Sequence, residues 1–175
     1  MVTDLSWKYS KATVVVATLV AMVIVLTECL NDGVVTHHFL NDPDMPGLSN
    51  WWGILLFPLY TYFLLYRIKN RKLSRLLHPA RIKLLWIIAG LFYGLILTYL
   101  FRIDSIYLEY WWKGLFILGF FLPLYHEEYL LGFMLGASYT LGTILPVLIG
   151  LCLALILYLS YECPRWIFRK LINNQ

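Results

Sequence analysis

The sequence predicts an all-α polytopic integral membrane protein with six transmembrane helices, both termini cytoplasmic, and a long outer loop between helices one and two. Three observations carry this. The 175-residue chain is 61% hydrophobic and only 14% charged, with a mean hydropathy of +0.71, whereas soluble domains average about 45–50% apolar and about 25% charged. Five runs contain no Asp, Glu, Lys, Arg or His: residues 13–27, 51–66, 84–101, 114–125 and 129–160. The basic residues gather in three segments that an even number of crossings puts on one side. Disordered chains are charge-rich and apolar-poor, so disorder is excluded. A net charge of +4 from 14 basic and 10 acidic residues is too modest for a nucleic-acid partner. Residues 1–175 form a single membrane-embedded helical domain.

The elements follow in order. A helix needs about 17–25 apolar residues to cross, and interfacial residues bring the first four runs to that length. Residues 13–27 have a basic start like a signal peptide, but no small-x-small cleavage site follows, so the helix is retained. Some 20 residues then lead to the second span, which opens with Trp51 and Trp52. The basic stretch RIKNRKLSRLLHPARIK separates spans two and three. Span four opens with Trp111 and Trp112. The fifth run is 32 residues long, too long for one ordinary crossing, and carries Gly142, Thr143 and Pro146 near its middle. Proline removes a helical donor and disfavours helix at the residue before it. The run is therefore expected to split into helices of roughly 128–142 and 144–161.

Charge sets the orientation. Lys8 and Lys11, the seven bases Arg67, Lys69, Arg71, Lys72, Arg75, Arg81 and Lys83, and the tail bases Arg165, Arg169 and Lys170 make 12 of the 14 Lys and Arg. Basic loops stay cytoplasmic, and only six spans place all three segments there. Five spans would put the basic tail outside. The seven tryptophans fall at predicted interfaces, where an indole is half buried with its N–H wet. Cys29, Cys152 and Cys163 have no metal or disulfide spacing and read as small apolar fillers. The absence of an N-x-Ser/Thr acceptor fits a bacterial inner membrane.

The spans carry no charge, which argues against a proton relay or voltage sensor. Chemistry must sit at the two ends. The outer loop reads ECLNDGVVTHHFLNDPDMPGLSNWW. Glu28 and Asp32 share a face if the first helix continues, and His37, His38, Asp42 and Asp44 follow, with Asp104 and Glu109 on the same side. Carboxylates and imidazoles together can hold a divalent metal, His37 and His38 being the candidate ligands, or do acid–base work. No spacing matches a metal motif. The plainer reading is turn chemistry around Pro43 and Pro46, with the two histidines solvated. The loop exceeds about 12–15 residues, a length usually functional or disordered, and its apolar Phe39, Leu40 and Leu48 are expected to pack it as an ordered cap over the bundle.

At the inner end, His126, Glu127 and Glu128 stand on an otherwise basic face. Their expected partners are Arg71, Lys72, Arg75 and Arg81, and a docking contact for another protein is the alternative. The basic loop itself is expected to touch anionic membrane lipid. Small residues at Ala17-x-x-x-Ala21 and Gly132-x-x-x-Gly136 mark close helix contacts, within the chain or with a membrane partner. The aromatic residues of the spans, Tyr60, Tyr62, Phe63 and Tyr93 among them, are core or the lining of an amphipathic pocket.

The six short spans and the Ala17–Ala21 pair resemble the S-components of energy-coupling-factor vitamin transporters, which dock a partner through an Ala-x-x-x-Ala surface of their first helix. The resemblance implies a transport component that binds a small or lipid-like solute beneath the outer loop. Two adjacent glutamates on a membrane helix also occur in intramembrane CAAX-type proteases, but the further acid and histidine helices of those enzymes have no counterpart here. Two alternatives remain. One is a membrane-interface enzyme, metal-dependent or not, acting on a lipid or lipid-linked substrate. The other is a non-catalytic subunit of a membrane complex.

Overall fold

The computed structural model describes residues 2–31, 33–38, 44, 47–71 and 80–173. Nearly all of these lie in six helices: α1 (Val2–Leu30), α2 (Gly53–Asn70), α3 (Ala80–Arg102), α4 (Tyr107–Phe121), α5 (Glu127–Leu141) and α6 (Ile144–Asn173). Between α1 and α2 stands a small antiparallel hairpin of β1 (Thr36–His38) and β2 (Gly47–Ser49), followed by a 3-10 turn at Asn50–Trp52. The hairpin register pairs Thr36 with Ser49, His37 with Leu48 and His38 with Gly47.

Among the described residues, three helical stretches are long and apolar enough to cross a membrane: Lys11–Leu30, Ile82–Arg102 and Ile144–Ile172. Two of the other helices are shorter than an ordinary crossing needs. α4 and α5 have 15 residues each, about 22 Å at 1.5 Å per residue against a hydrocarbon core of about 30 Å. Their ends have local causes. Leu122, extended ahead of Pro123, closes α4, as expected before a proline. Gly142 closes α5 at φ +72°, a conformation side-chain-bearing residues avoid. The expected split of the long apolar run therefore occurs at Gly142 and Thr143.

α5 is the centre of the molecule. Twelve of its fifteen residues are buried, and it packs against α2, α3 and α6. The α3–α5 contact is the closest. A Cβ on Gly132 would lie 1.9 Å from the Ile87 carbonyl oxygen, one on Gly136 2.2 Å from that of Leu91, one on Gly90 2.1 Å from that of Tyr129, and one on Gly94 2.5 Å from that of Phe133. Two Gly-x-x-x-Gly stripes thus interlock in parallel, backbone on backbone. The stripe of α3 was not anticipated. Ala17 and Ala21 are 2% and 0% exposed with Val25 at 1%, and α1 packs on α2. Both expected docking stripes are thus occupied inside the chain, and neither is open to a partner in this structure.

Aromatic residues divide between core and surface. Tyr93 stacks on Trp111 at 5.3 Å and donates to its carbonyl oxygen at 3.0 Å. Phe92, Tyr99, Phe121 and Tyr139 are exposed. Cys29, Cys152 and Cys163 are unpaired and exposed. They sit on exposed helix faces rather than filling interior gaps.

Candidate functional site

Two polar clusters mark the two ends of the bundle, and an amphipathic cleft runs from one of them. At the end predicted to face outward, Glu28 in the last turn of α1 accepts from the backbone N–H of Val35 at 3.2 Å and from the Asn50 amide at 2.6 Å. Asn50 is 1% exposed. Its Oδ1 accepts from the N–H groups of Thr143 and Ile144 at 3.2 and 3.1 Å, and the Thr143 hydroxyl donates to the Asn50 carbonyl at 3.2 Å. Helix starts leave unpaired N–H groups, and here a side chain from the loop fills them. The close fit demands glycine twice: a Cβ on Gly142 would lie 2.1 Å from the Asn50 amide nitrogen, and one on Gly53 1.7 Å from the Thr143 hydroxyl.

This latch accounts for part of the predicted outer cluster. His37 is half buried beside Glu28, and among the described residues its Nε2 has no hydrogen-bond partner. Burial lowers its pKa, with the Glu28 charge opposing. Asp44 is exposed. Asp104 is exposed in the α3–α4 turn at φ +48°, a strain tolerated by Asp. Glu109 pairs with Lys113 one turn along α4 at 2.6 Å, and that hydrogen bond holds its pKa below the usual value. Asp32, Asp42, Phe39 and Leu40 lie outside the described residues, as does the side chain of His38. Leu48 is half buried. Among the described residues no three His, Cys, Asp or Glu side chains converge as metal ligands would.

The opposite end holds Glu127 and Glu128, 5% and 4% exposed at the start of α5. Carboxylates are favoured near a helix N-terminus, but burial at this depth requires pairing. The partners come from the end of α2. Arg67 Nε meets Glu127 Oε1 at 2.9 Å, and Arg71 contacts Glu127 and lies 3.7 Å from Glu128. Arg71 was anticipated. Arg67 was not, although its position one turn before Arg71 places both on one helix face. Lys72 and Arg75 lie outside the described residues, as does the side chain of Arg81. His126 precedes the helix, its ring against Tyr125.

Tyr125 extends the cluster to α6. Its hydroxyl donates to Glu162 at 3.1 Å, and Glu162 also meets Arg169 at 3.3 Å. Burial and then the Glu162 carboxylate push the Tyr125 pKa up to about 12, so the phenol stays neutral. Its ring packs edge-on to Tyr158 at 5.3 Å. Arg165 stacks over Tyr161, 3.4 Å from the ring centre.

From this cluster a cleft rises between α2 and α6. Its volume is about 400 Å³, and it is lined by Arg67, Glu127, Tyr125 and Tyr158 at one end and by Tyr60, Phe63 and Leu151 beyond them. The last three also line a second, apolar cleft of about 540 Å³ with Leu56, Leu59, Tyr62, Tyr66 and Val147. A separate apolar cleft of about 210 Å³ lies near Leu97, Trp112 and Ile149. Its Thr98 hydroxyl already donates within α3, so it offers no free polar group. Comparison with protein-family models, curated proteins and solved structures finds no match to this chain.

Proposed function

We propose that this chain is a six-span protein of a bacterial inner membrane, both termini cytoplasmic, that binds an amphiphilic, lipid-like molecule in the α2–α6 cleft as the binding component of a transport process. The observation that carries the reading is a pair of clefts that share Tyr60, Phe63 and Leu151, one walled by Leu56 and Leu59 and the other ending at Arg67, Glu127 and Tyr125. Binding sites of this kind draw affinity from apolar surface and orientation from a few polar groups. The cleft lies along the side of the bundle rather than beneath the outer loop, where Glu28 and Asn50 are occupied in closing the end.

The helix directions support six crossings. Arg67 ties the end of α2 to the start of α5, while Asn50 ties the start of α2 to the start of α6. α2 therefore runs opposite to α5, and α5 opposite to α6. The shortness of α5 is no obstacle, since it is surrounded by protein and has no lipid thickness to match. The break at Gly142 and Thr143 meets the rule that irregular backbone at membrane depth must be enclosed and satisfied.

Native mass spectrometry of the protein extracted in mild detergent tests the binding reading. One lipid-mass adduct is expected, lost in Leu151→Trp, which fills the cleft from a half-exposed, lipid-facing position. An adduct-free protein, or an adduct indifferent to Leu151→Trp, refutes it. In a background with Cys29, Cys152 and Cys163 changed to Ser, Asp44→Cys should react with an impermeant thiol reagent in intact cells and Asn70→Cys only after lysis. The reverse pattern overturns the orientation.

A further inference from the structure

We propose that Arg67 selects the ligand's headgroup, and that the occupant of the α2–α6 cleft is a phosphate-bearing lipid of the inner leaflet. The inference rests on the cleft reading above and adds the chemistry of the head.

Arg67 is built unlike an ordinary surface arginine. Its Nε is fixed by Glu127 at 2.9 Å, and the Glu127 side chain is itself only 7% exposed. The Arg67 side chain is 59% exposed, and among the described residues its two terminal nitrogens have no partner. A guanidinium offers five N–H donors. One is used to set its direction, and four remain on the two terminal nitrogens of a side chain that lines the cleft. That fork matches a phosphate in a two-point contact, which a lysine ammonium cannot reproduce.

The charge of this end agrees. Arg67, Lys69, Arg71, Arg165, Arg169 and Lys170 outnumber Glu127, Glu128 and Glu162 two to one. Glu127 does not cancel Arg67, because Arg71 also contacts it. Tyr125 stays neutral, so it does not repel an anion there. The apolar walls beyond Tyr60 and Phe63 would have nothing to bind if the ligand were phosphate alone. The basic end faces the cytoplasm in the six-span orientation, which sets the leaflet.

The test reconstitutes the full chain in nanodiscs holding equal amounts of phosphatidylglycerol and diacylglycerol, then measures lipid retained after extraction by native mass spectrometry. The wild type should retain phosphatidylglycerol over diacylglycerol by about tenfold or more, the effect of one charge-assisted contact. Arg67→Gln should bring the ratio near one, with Arg67→Lys between. Leu151→Trp should lose both lipids. Inorganic phosphate at millimolar concentration should not displace the lipid. No retained lipid in the wild type, or equal retention in Leu151→Trp, sinks the cleft reading itself. Retention with a ratio near one, or a ratio unchanged in Arg67→Gln, overturns the headgroup assignment and leaves the cleft standing. Displacement by free phosphate overturns the lipid as the ligand source.

Discussion

Asn50 offers the sharpest test of how the fold is held, because one carboxamide joins three elements. In Asn50→Ala the N–H groups of Thr143 and Ile144 lose their acceptor, and both residues are 0% exposed, so water cannot replace it. A buried unsatisfied group costs about 1–3 kcal/mol, and loss of a helix cap about 0.5–2 kcal/mol. Glu28 loses its 2.6 Å partner but keeps the Val35 N–H. These losses share one site and do not add fully, so about 3–5 kcal/mol is expected in total. That is a large part of the 5–15 kcal/mol typical of a domain.

Asn50→Asp separates capping from the Glu28 contact. It keeps the acceptor for Thr143 and Ile144 but turns an oxygen toward the Glu28 carboxylate, where the amide had been. Two carboxylates in that position cannot both stay ionised cheaply. The folded pair then holds a proton the unfolded chain releases, so Asn50→Asp should gain stability as pH falls, opposite to the usual acid response. Adding Glu28→Gln should restore most of the loss at neutral pH, since the glutamine amide can donate in place of the lost asparagine. Equilibrium unfolding in mixed micelles measures each term. The reasoning fails if Asn50→Ala lies within about 0.5 kcal/mol of wild type, the range of a neutral surface change, or if Glu28→Gln gives Asn50→Asp no rescue.

Three further expectations use the same unfolding assay or hydrogen exchange. Gly132→Ala forces a Cβ into the Ile87 backbone and should cost about 1–3 kcal/mol by overpacking or more, whereas Gly114→Ala, with open space around it, should be neutral or mildly stabilising; equal effects would refute the interlocked stripes. Arg71→Ala leaves two carboxylates at 7% and 5% side-chain exposure and should cost about 3 kcal/mol, the low end for a broken buried pair, while Arg67→Ala should cost under about 1 kcal/mol because the arginine is mostly exposed. Docking of the hairpin should be full above the ordinary histidine pKa and weaken as pH falls toward the lowered pKa of His37, since the undocked loop takes the proton first; amide exchange at Thr36–His38 that is flat between pH 7 and 5, after correction for intrinsic rates, or unchanged in His37→Ala, would rule this out.

The helices were legible because they answer to composition. Five uncharged runs located the helices, and Gly142, Thr143 and Pro146 together split the fifth run into α5 and α6. Lateral contacts were harder. A membrane helix is apolar around its whole circumference, so no hydrophobic stripe says which face turns inward. Tyr60, Tyr62 and Phe63 could be named as aromatic but not assigned to a cleft. Gly90 and Gly94 carry the same spacing as Gly132 and Gly136, and a search for complementary stripes would have found them. Asn50 gave no signal, since an asparagine between a hairpin and a tryptophan pair reads as a turn. The acidic pair at the inner end was legible by its contrast with a basic face, and Arg71 with it. Arg67 was assigned to the basic segment after the second span because sequence alone cannot show that α2 runs on as far as Asn70.

The two helix seams around the centre explain why the cleft lies where it does. α3 meets α5 through four glycines, backbone against backbone, and no space is left between them. Between α2 and α6, by contrast, Tyr60, Phe63, Val147 and Leu151 line open space. At the outer end that seam is closed, since Asn50 at the entrance to α2 binds the first residues of α6. At the inner end the ties run elsewhere: Arg67 and Arg71 of α2 bind the start of α5, and Glu162 of α6 binds Tyr125. Arg67 stands at that end, on the wall of the cleft. On the proposed reading, a lipid seated in the cleft would leave its head beside that guanidinium.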